Sequence, residues 1–106
     1  MTSLAVLTNC PDAETAEQIA NALVTRRLAA CVNLLPPCRS VYQWEGKVEQ
    51  AVEVPLLIKT TEACYPALEA AIRELHPYQT PEIIALPVAH GLPAYLQWVA
   101  DETRAE

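Results

Sequence analysis

The stretch "CRSVYQWEGKVEQAVEVPLLIKTT", residues 38–61, decides the fold, because two runs rich in Val, Tyr and Trp flank a turn at Gly46. On the second run apolar and charged residues alternate, which is the two-residue period of a strand with one polar face. The stretch therefore predicts a long β-hairpin. Its apolar positions are Val48, Val52, Val54, Leu56 and Ile58, and its charged positions are Glu49, Glu53 and Lys59.

The length of this hairpin bears on assembly. Each arm is expected to run about 10 residues, or ~33 Å, which is longer than the short first strand can cover. A two-stranded ribbon alone is only marginally stable in water, so its tip, with Tyr42 and Trp44, is expected to rest on another subunit. Pro55 interrupts the second arm and predicts a bulge or a sheet edge there.

Apolar runs of strand length occur at 3–8, 28–35 and 82–89. Residues 28–35 could instead continue the preceding helix, but the β-branched Val32 and the stop at Pro36–Pro37 favour a buried strand. The run at 82–89 is apolar on both faces, which predicts a central strand.

Apolar residues three and four positions apart predict one helix across 16–24 and a second across 68–75, which Pro77 ends. Pro93 opens a third helix near the C-terminus. The order is β-α-β-β-α-β followed by a helix, which indicates a ferredoxin-like α+β sandwich with an antiparallel sheet. Residues 1–106 are expected to form a single domain.

The composition is apolar and acidic. Apolar residues make up 52% of the 106, which predicts apolar surface hidden in a subunit interface. The net charge of -6 argues against a nucleic-acid partner, which would need a basic footprint. No apolar run is long enough to span a membrane, and the N-terminus lacks the basic region of a signal peptide. We therefore expect a cytoplasmic protein.

The four cysteines and two histidines are the candidate metal ligands. The cysteines form no C-x-x-C motif and are expected to be reduced thiols. Cys10 is predicted in the loop after the first strand, as either an ordinary thiol or a soft ligand. His76 ends the second helix, where the helix dipole favours a protonated imidazole, and is either a structural terminus or a ligand. His90 precedes Gly91 in a turn and is a lesser candidate.

No catalytic signature is evident. No thiol or hydroxyl has an oriented base beside it in the sequence, and two glycines cannot build a phosphate-binding loop. The rings of Tyr42, Trp44 and Tyr78 indicate core or interface packing, or a site. Glu49 and Glu53 could line a polar cleft, although a solvated strand face is the simpler interpretation.

Five blocks follow one another along essentially the whole chain: "LAACVN" (28–33), "YQWEGKVE" (42–49), "KTT" (59–61), "HPYQTPEI" (76–83) and "LPV…HG…YLQW" (86–98). Together they resemble the CutA divalent-cation tolerance proteins. The resemblance implies a trimer of ferredoxin-like subunits, similar in shape to the nitrogen-regulatory PII proteins. It also implies a cytoplasmic protein linked to tolerance of copper and other divalent metals, with no established reaction, so we expect no enzyme.

The resemblance also implies where metal ligands would lie. Copper ligands proposed for some members are a Cys that ends the first strand and two adjacent His before "PY". Here the first position is Thr8, with Cys10 two residues further on, and the pair is Leu75–His76. Only His76 therefore carries over directly.

The resulting hypothesis is a homotrimer that binds a divalent metal or a small ligand in a cleft between subunits, with no cofactor required for folding. The predicted cleft residues come from the loop and the hairpin strands: His76, Tyr78, Glu82, Trp44 and Lys59. For a metal such as copper, His76 and Cys10 are the expected ligands. The alternatives are a PII-like signalling module that binds a small anion, through Lys59, or a partner protein, and an enzyme.

Overall fold

The computed structural model describes residues 2–104, which form five strands and three helices. The predicted ferredoxin-like α+β sandwich with an antiparallel sheet is confirmed. The elements in chain order are β1 (Ser3–Cys10), α1 (Ala13–Thr25), β2 (Cys31–Leu34), β3 (Cys38–Trp44), β4 (Lys47–Thr61), α2 (Tyr65–Leu75), β5 (Ile83–Pro87) and α3 (Pro93–Asp101).

The sheet has the strand order β2-β4-β1-β5, and every pairing in it is antiparallel. Strands β2 and β3 follow one another along the same edge of β4, so they act as one interrupted arm of the hairpin. One face of the sheet packs on α1 and α2, and alternate side chains of β1 and β4 fill the core between them. Fully buried members of this core include Val6, Ile19, Leu23, Leu56, Ile58 and Ile72.

The hairpin turn consists of Glu45 and Gly46, which join β3 to β4. Both have positive φ, 49° and 78°, as a two-residue turn whose twist matches that of the strands requires. The turn allows β4 to extend for 15 residues. Only its second half pairs with β1, so its first half and β3 project beyond the core as a two-stranded ribbon.

Pro55 does not interrupt β4, which is continuous, but a bulge is present at this point as predicted. The irregularity is on the opposite strand, where the register shifts by one residue between β2 and β3. The carbonyl of Pro55 accepts a hydrogen bond from the Leu35 N–H at 2.9 Å. The proline nitrogen therefore faces the β2–β3 side of β4. The missing N–H costs no ladder hydrogen bond there, because residues 35–37 between β2 and β3 are not in a strand.

Three predicted placements need correction. Cys10 is the last residue of β1 and not a loop residue, because the ladder with β4 continues to Val54. The predicted buried strand at 28–35 is the shorter β2, which is exposed along its outer edge because it pairs only with β4. The strand predicted as central at 82–89 is β5, at the other edge.

The second face of the sheet explains why β5 has the pattern of a central strand. Its apolar residues point alternately to the face that α1 and α2 cover and to the opposite face, which is uncovered along β5 within residues 2–104. Ile84 and Leu86 point to the uncovered face and are 48% and 50% exposed. The sequence thus shows an apolar surface that a single subunit leaves open.

Candidate aromatic–acidic cleft

A cleft of about 640 Å³ opens where the ribbon meets the loop between α2 and β5. Three aromatic rings and two carboxyl groups line it, and we call it the aromatic–acidic cleft. The rings belong to Tyr42, Trp44 and Tyr78, and the carboxyl groups to Glu53 and Glu82. Clefts of this size hold small organic ligands in other proteins.

The rest of the lining is uncharged. It supplies two amides, two hydroxyls and one aliphatic side chain, from Asn9, Gln79, Ser40, Thr80 and Val41. No lysine or arginine belongs to the lining within residues 2–104. The charge of the cleft is therefore entirely negative.

The strand period brings the ribbon residues together. Tyr42 and Trp44 lie two residues apart on β3, so their side chains share one face of the ribbon. Glu53 on β4 lies directly opposite Cys38 and therefore shares that face. The interpretation of Glu53 as part of a solvated face is wrong, since it is only 8% exposed, whereas Glu49 on the same face is exposed.

His76 attaches the loop to the end of β1. Its buried ring accepts a hydrogen bond at Nδ1 from the Tyr78 N–H at 3.2 Å, and its Nε2 lies 2.6 Å from the Asn9 carbonyl oxygen. A carbonyl can only accept, so we assign the proton to Nε2. Both ring nitrogens are then occupied, and a metal at His76 would have to displace one of these bonds.

Tyr78 links the same loop to the ribbon. Its hydroxyl donates a hydrogen bond to Oε2 of Glu53 at 3.2 Å. Burial, followed by the nearby charge of Glu53, raises the pKa of Tyr78 to about 12, so the phenol keeps its proton as the donor. The loop thus rests on β1 through His76 and on β4 through Tyr78.

Cys10 is fully buried beside this loop. Burial, with smaller contributions from the charges of Asp12 and Glu53, raises the pKa of its thiol to about 11. A soft-metal site needs the thiolate, which this environment disfavours. Within residues 2–104 no cluster of three or more His, Cys, Asp or Glu side chains is arranged to hold a metal. A copper site at Cys10 and His76 therefore does not fit the geometry of one subunit.

The predicted cleft residues divide into three groups. Trp44, Tyr78 and Glu82 line the cleft, and Glu82 also accepts a hydrogen bond from the Asn9 amide at 3.4 Å. His76 lies behind the lining as its support. Lys59 is elsewhere, six residues along β4 from Glu53 or ~20 Å of extended strand, where its Nζ donates to Asn33 Oδ1.

The structure adds Glu53 and Tyr42 to the site; the sequence suggested a polar cleft as one possibility for Glu53 and a site as one for Tyr42, but the predicted set of five cleft residues omits both. The signal was present in the hairpin pattern, since both belong to the face that carries Trp44. The burial of Glu53 was not foreseeable, because it depends on the position of Tyr78 in a loop distant in sequence.

Comparison with known proteins places this architecture in a family. The model of the CutA1 divalent ion tolerance protein family matches residues 4–102. "Protein CutA" of Mus musculus is 48% identical over 95% of this chain, and the chain spans 57% of the mouse protein. The divalent-cation tolerance protein CutA of Thermus thermophilus is 48% identical over 92% of this chain and 95% of its own length.

Solved structures agree with the sequence comparison. The solved divalent cation tolerance protein of Thermus thermophilus superposes with a TM-score of 0.95 at 46% identity, covering 96% of this chain and 99% of that one. A CutA from Archaeoglobus fulgidus, described as periplasmic, gives 0.91 at 35% identity, covering 94% and 97%. Both of these solved proteins are named for divalent-cation tolerance rather than for a reaction. The chain belongs to the CutA1 divalent ion tolerance protein family.

Proposed function

We propose that the protein is a non-catalytic, homotrimeric binding protein that serves divalent-cation tolerance by taking a small ligand in the aromatic–acidic cleft. The observation that carries the proposal is the construction of the cleft. His76 and Tyr78 fix its loop from two sides, and one carboxyl group, Glu53, is buried against it. A loop held in this way is suited to a preformed site.

The trimer is supported by the apolar surface that one subunit leaves open. Ile84 and Leu86 on the uncovered sheet face are half exposed, and Val48 and Val52 on the ribbon are 65% and 64% exposed. Such surface is typical of interfaces between subunits. Three subunits is the number that the family resemblance implies, and we propose that the cleft of such a trimer lies near a subunit boundary.

We propose the cytoplasm as the compartment, supported by four free cysteines in the described chain. No helix within residues 2–104 is long and apolar enough to cross a membrane. Fractionation of cells that produce the full-length protein, with periplasmic and cytoplasmic marker enzymes, tests this placement. Recovery with the periplasmic marker would contradict it.

Soaking crystals in a chemically diverse set of small organic fragments tests the cleft. The proposal expects bound fragments to concentrate between Trp44 and Tyr78. If fragments bind elsewhere and leave the cleft empty, the proposed site is wrong.

Direct copper binding is a second candidate, suggested by the divalent-ion tolerance for which the family is named, although Cys10 and His76 do not form a copper site within one subunit. Calorimetric titration with Cu²⁺ separates the two candidates through Cys10→Ser and a matched control, Cys64→Ser, which removes an equally buried thiol. Our proposal expects both variants to bind copper alike. Loss of copper binding in Cys10→Ser alone would favour the second candidate.

A further inference from the structure

We propose that the aromatic–acidic cleft binds an organic cation, namely an ammonium group carried on an apolar body. This inference rests on the proposed function and names the class of ligand for the same cleft. It follows from two features of the lining, a buried carboxyl group with a free oxygen and three accessible aromatic rings.

The carboxyl group is that of Glu53. It is 8% exposed and lines the cleft, and its Oε2 accepts the Tyr78 hydroxyl. Its Oε1 has no hydrogen-bond partner among residues 2–104. A largely buried carboxylate with one free oxygen gains most from a charged donor, since charge-assisted hydrogen bonds are the stronger class. Glu82 adds a second negative charge to the same lining.

The rings provide the second feature. Tyr42, Trp44 and Tyr78 remain between 38% and 48% exposed although they line the cleft, so part of their surface is available to a ligand. The face of an aromatic ring carries negative charge and attracts a cation, most strongly for tryptophan. The same rings bury apolar groups, so an ammonium on an apolar body uses both properties.

The lining argues against the two other kinds of small ligand. An anion would meet Glu53 and Glu82 with no basic side chain in the described lining of one subunit to offset them. Lys47 lies opposite Trp44 on the same face of the ribbon but is not part of the lining. Arg39 lies on the opposite face, where it donates to Gln50 at 2.6 Å. A bare metal ion would gain no ligand from the three rings.

Three ligands with one phenyl body and different charges test the proposal: phenethylammonium, 2-phenylethanol and phenylacetate. We expect calorimetric titration of the full-length protein at pH 7 to show saturable binding of phenethylammonium. The neutral alcohol should bind at least ~10-fold more weakly, because it loses both the charge-assisted bond and the cation–π attraction. Phenylacetate should bind more weakly still.

Variants locate the binding. Glu53→Gln keeps the shape of the side chain, and we expect it to weaken phenethylammonium at least ~10-fold. Glu49→Gln is the matched control, since it lies on the same face of β4 outside the cleft and should leave the affinity unchanged. Trp44→Leu removes an exposed ring without touching the core and should weaken binding ~5-fold, which keeps the test decisive if Glu53→Gln unfolds.

The outcomes separate this inference from the proposed function. Equal affinity for phenethylammonium and 2-phenylethanol, or an unchanged affinity in both Glu53→Gln and Trp44→Leu, would overturn the organic-cation inference. If neutral or anionic fragments nevertheless occupy the cleft in crystals, the proposed function stands. If the cleft binds none of the three ligands and no fragment, both fail.

Discussion

His76 is the residue on which the cleft loop depends. Its ring connects the end of β1 to the loop, because Nε2 reaches the Asn9 carbonyl of β1 while Nδ1 accepts the Tyr78 N–H of the loop. The two prolines of the loop then constrain the chain that follows. The histidine of this motif thus serves as a structural clamp in this subunit.

Replacing His76 should therefore destabilise the fold. His76→Ala removes two hydrogen bonds and a buried ring, and we expect it to lower the free energy of unfolding by about 2–3 kcal/mol. His90→Ala is the control, since His90 is exposed and should change stability by less than about 0.5 kcal/mol. Urea unfolding at one protein concentration measures both. Equal stability of the two variants would contradict the clamp.

The raised pKa of Cys10 leads us to predict how the stability of the fold changes at alkaline pH. Its pKa is raised from 9.0 to about 11 in the folded chain, so the unfolded chain loses this proton first as the pH rises. The contribution of the Cys10 thiol to the free energy of unfolding is therefore fully present below pH 9 and is lost between pH 9 and 11. Urea unfolding across this window should show a steeper decline for the native sequence than for Cys10→Ala. Parallel declines would show that the thiol does not contribute.

At the scale of elements, the hairpin determines both the sheet and the cleft. Its turn, its alternating pattern and the helices on either side could all be predicted from the sequence, because local periodicity specifies them. The edge positions of β2 and β5 could not, because an apolar strand looks the same whether its own chain or a neighbouring subunit covers it. Cys10 was misplaced because the polar Thr8 and Asn9 conceal the end of β1.

From the turn geometry we predict opposite changes in stability for substitutions at the adjacent residues Glu45 and Gly46. Glu45 has positive φ, which costs energy for glutamate, so Glu45→Asn should stabilise the protein by about 0.5 kcal/mol. Gly46→Ala should destabilise it by about 1 kcal/mol through backbone strain alone, since an added Cβ would meet no atom within 4 Å. Thermal unfolding of both variants checks the signs. A shift in the same direction for both would contradict this turn geometry.

At the scale of the whole molecule, the apolar sheet face and the projecting ribbon both indicate assembly. We expect light scattering to give a mass of about 35 kDa, three copies of the 11.6 kDa chain. Leu86→Lys places a charge on the uncovered face and should reduce this mass at micromolar concentration. Gln18→Lys, on the exposed side of α1, is the control and should not. A stable 11.6 kDa species in the native sequence would refute the trimer.

The candidate site was only partly predictable, because local motifs indicate some of its residues while others join it through contacts between distant parts of the chain. Sequence motifs indicated Trp44, Tyr78 and Glu82, because they lie in or beside recognisable blocks. The contribution of Glu53 arises from a contact across 25 residues, which no local pattern specifies. Lys59 could line a cleft only together with a neighbouring subunit, so its place in the ligand cleft stays a prediction.

The two tryptophans allow the central claim, that the aromatic–acidic cleft binds an organic cation, to be tested in one spectrum. Trp44 lines the cleft, whereas Trp98 lies on α3 against Tyr95. In a ¹H–¹⁵N spectrum each indole N–H gives one resonance. On titration with phenethylammonium, we predict a saturable shift of the Trp44 resonance and a stationary Trp98 resonance. A shift of Trp98 alone, or no shift of either, would contradict the account.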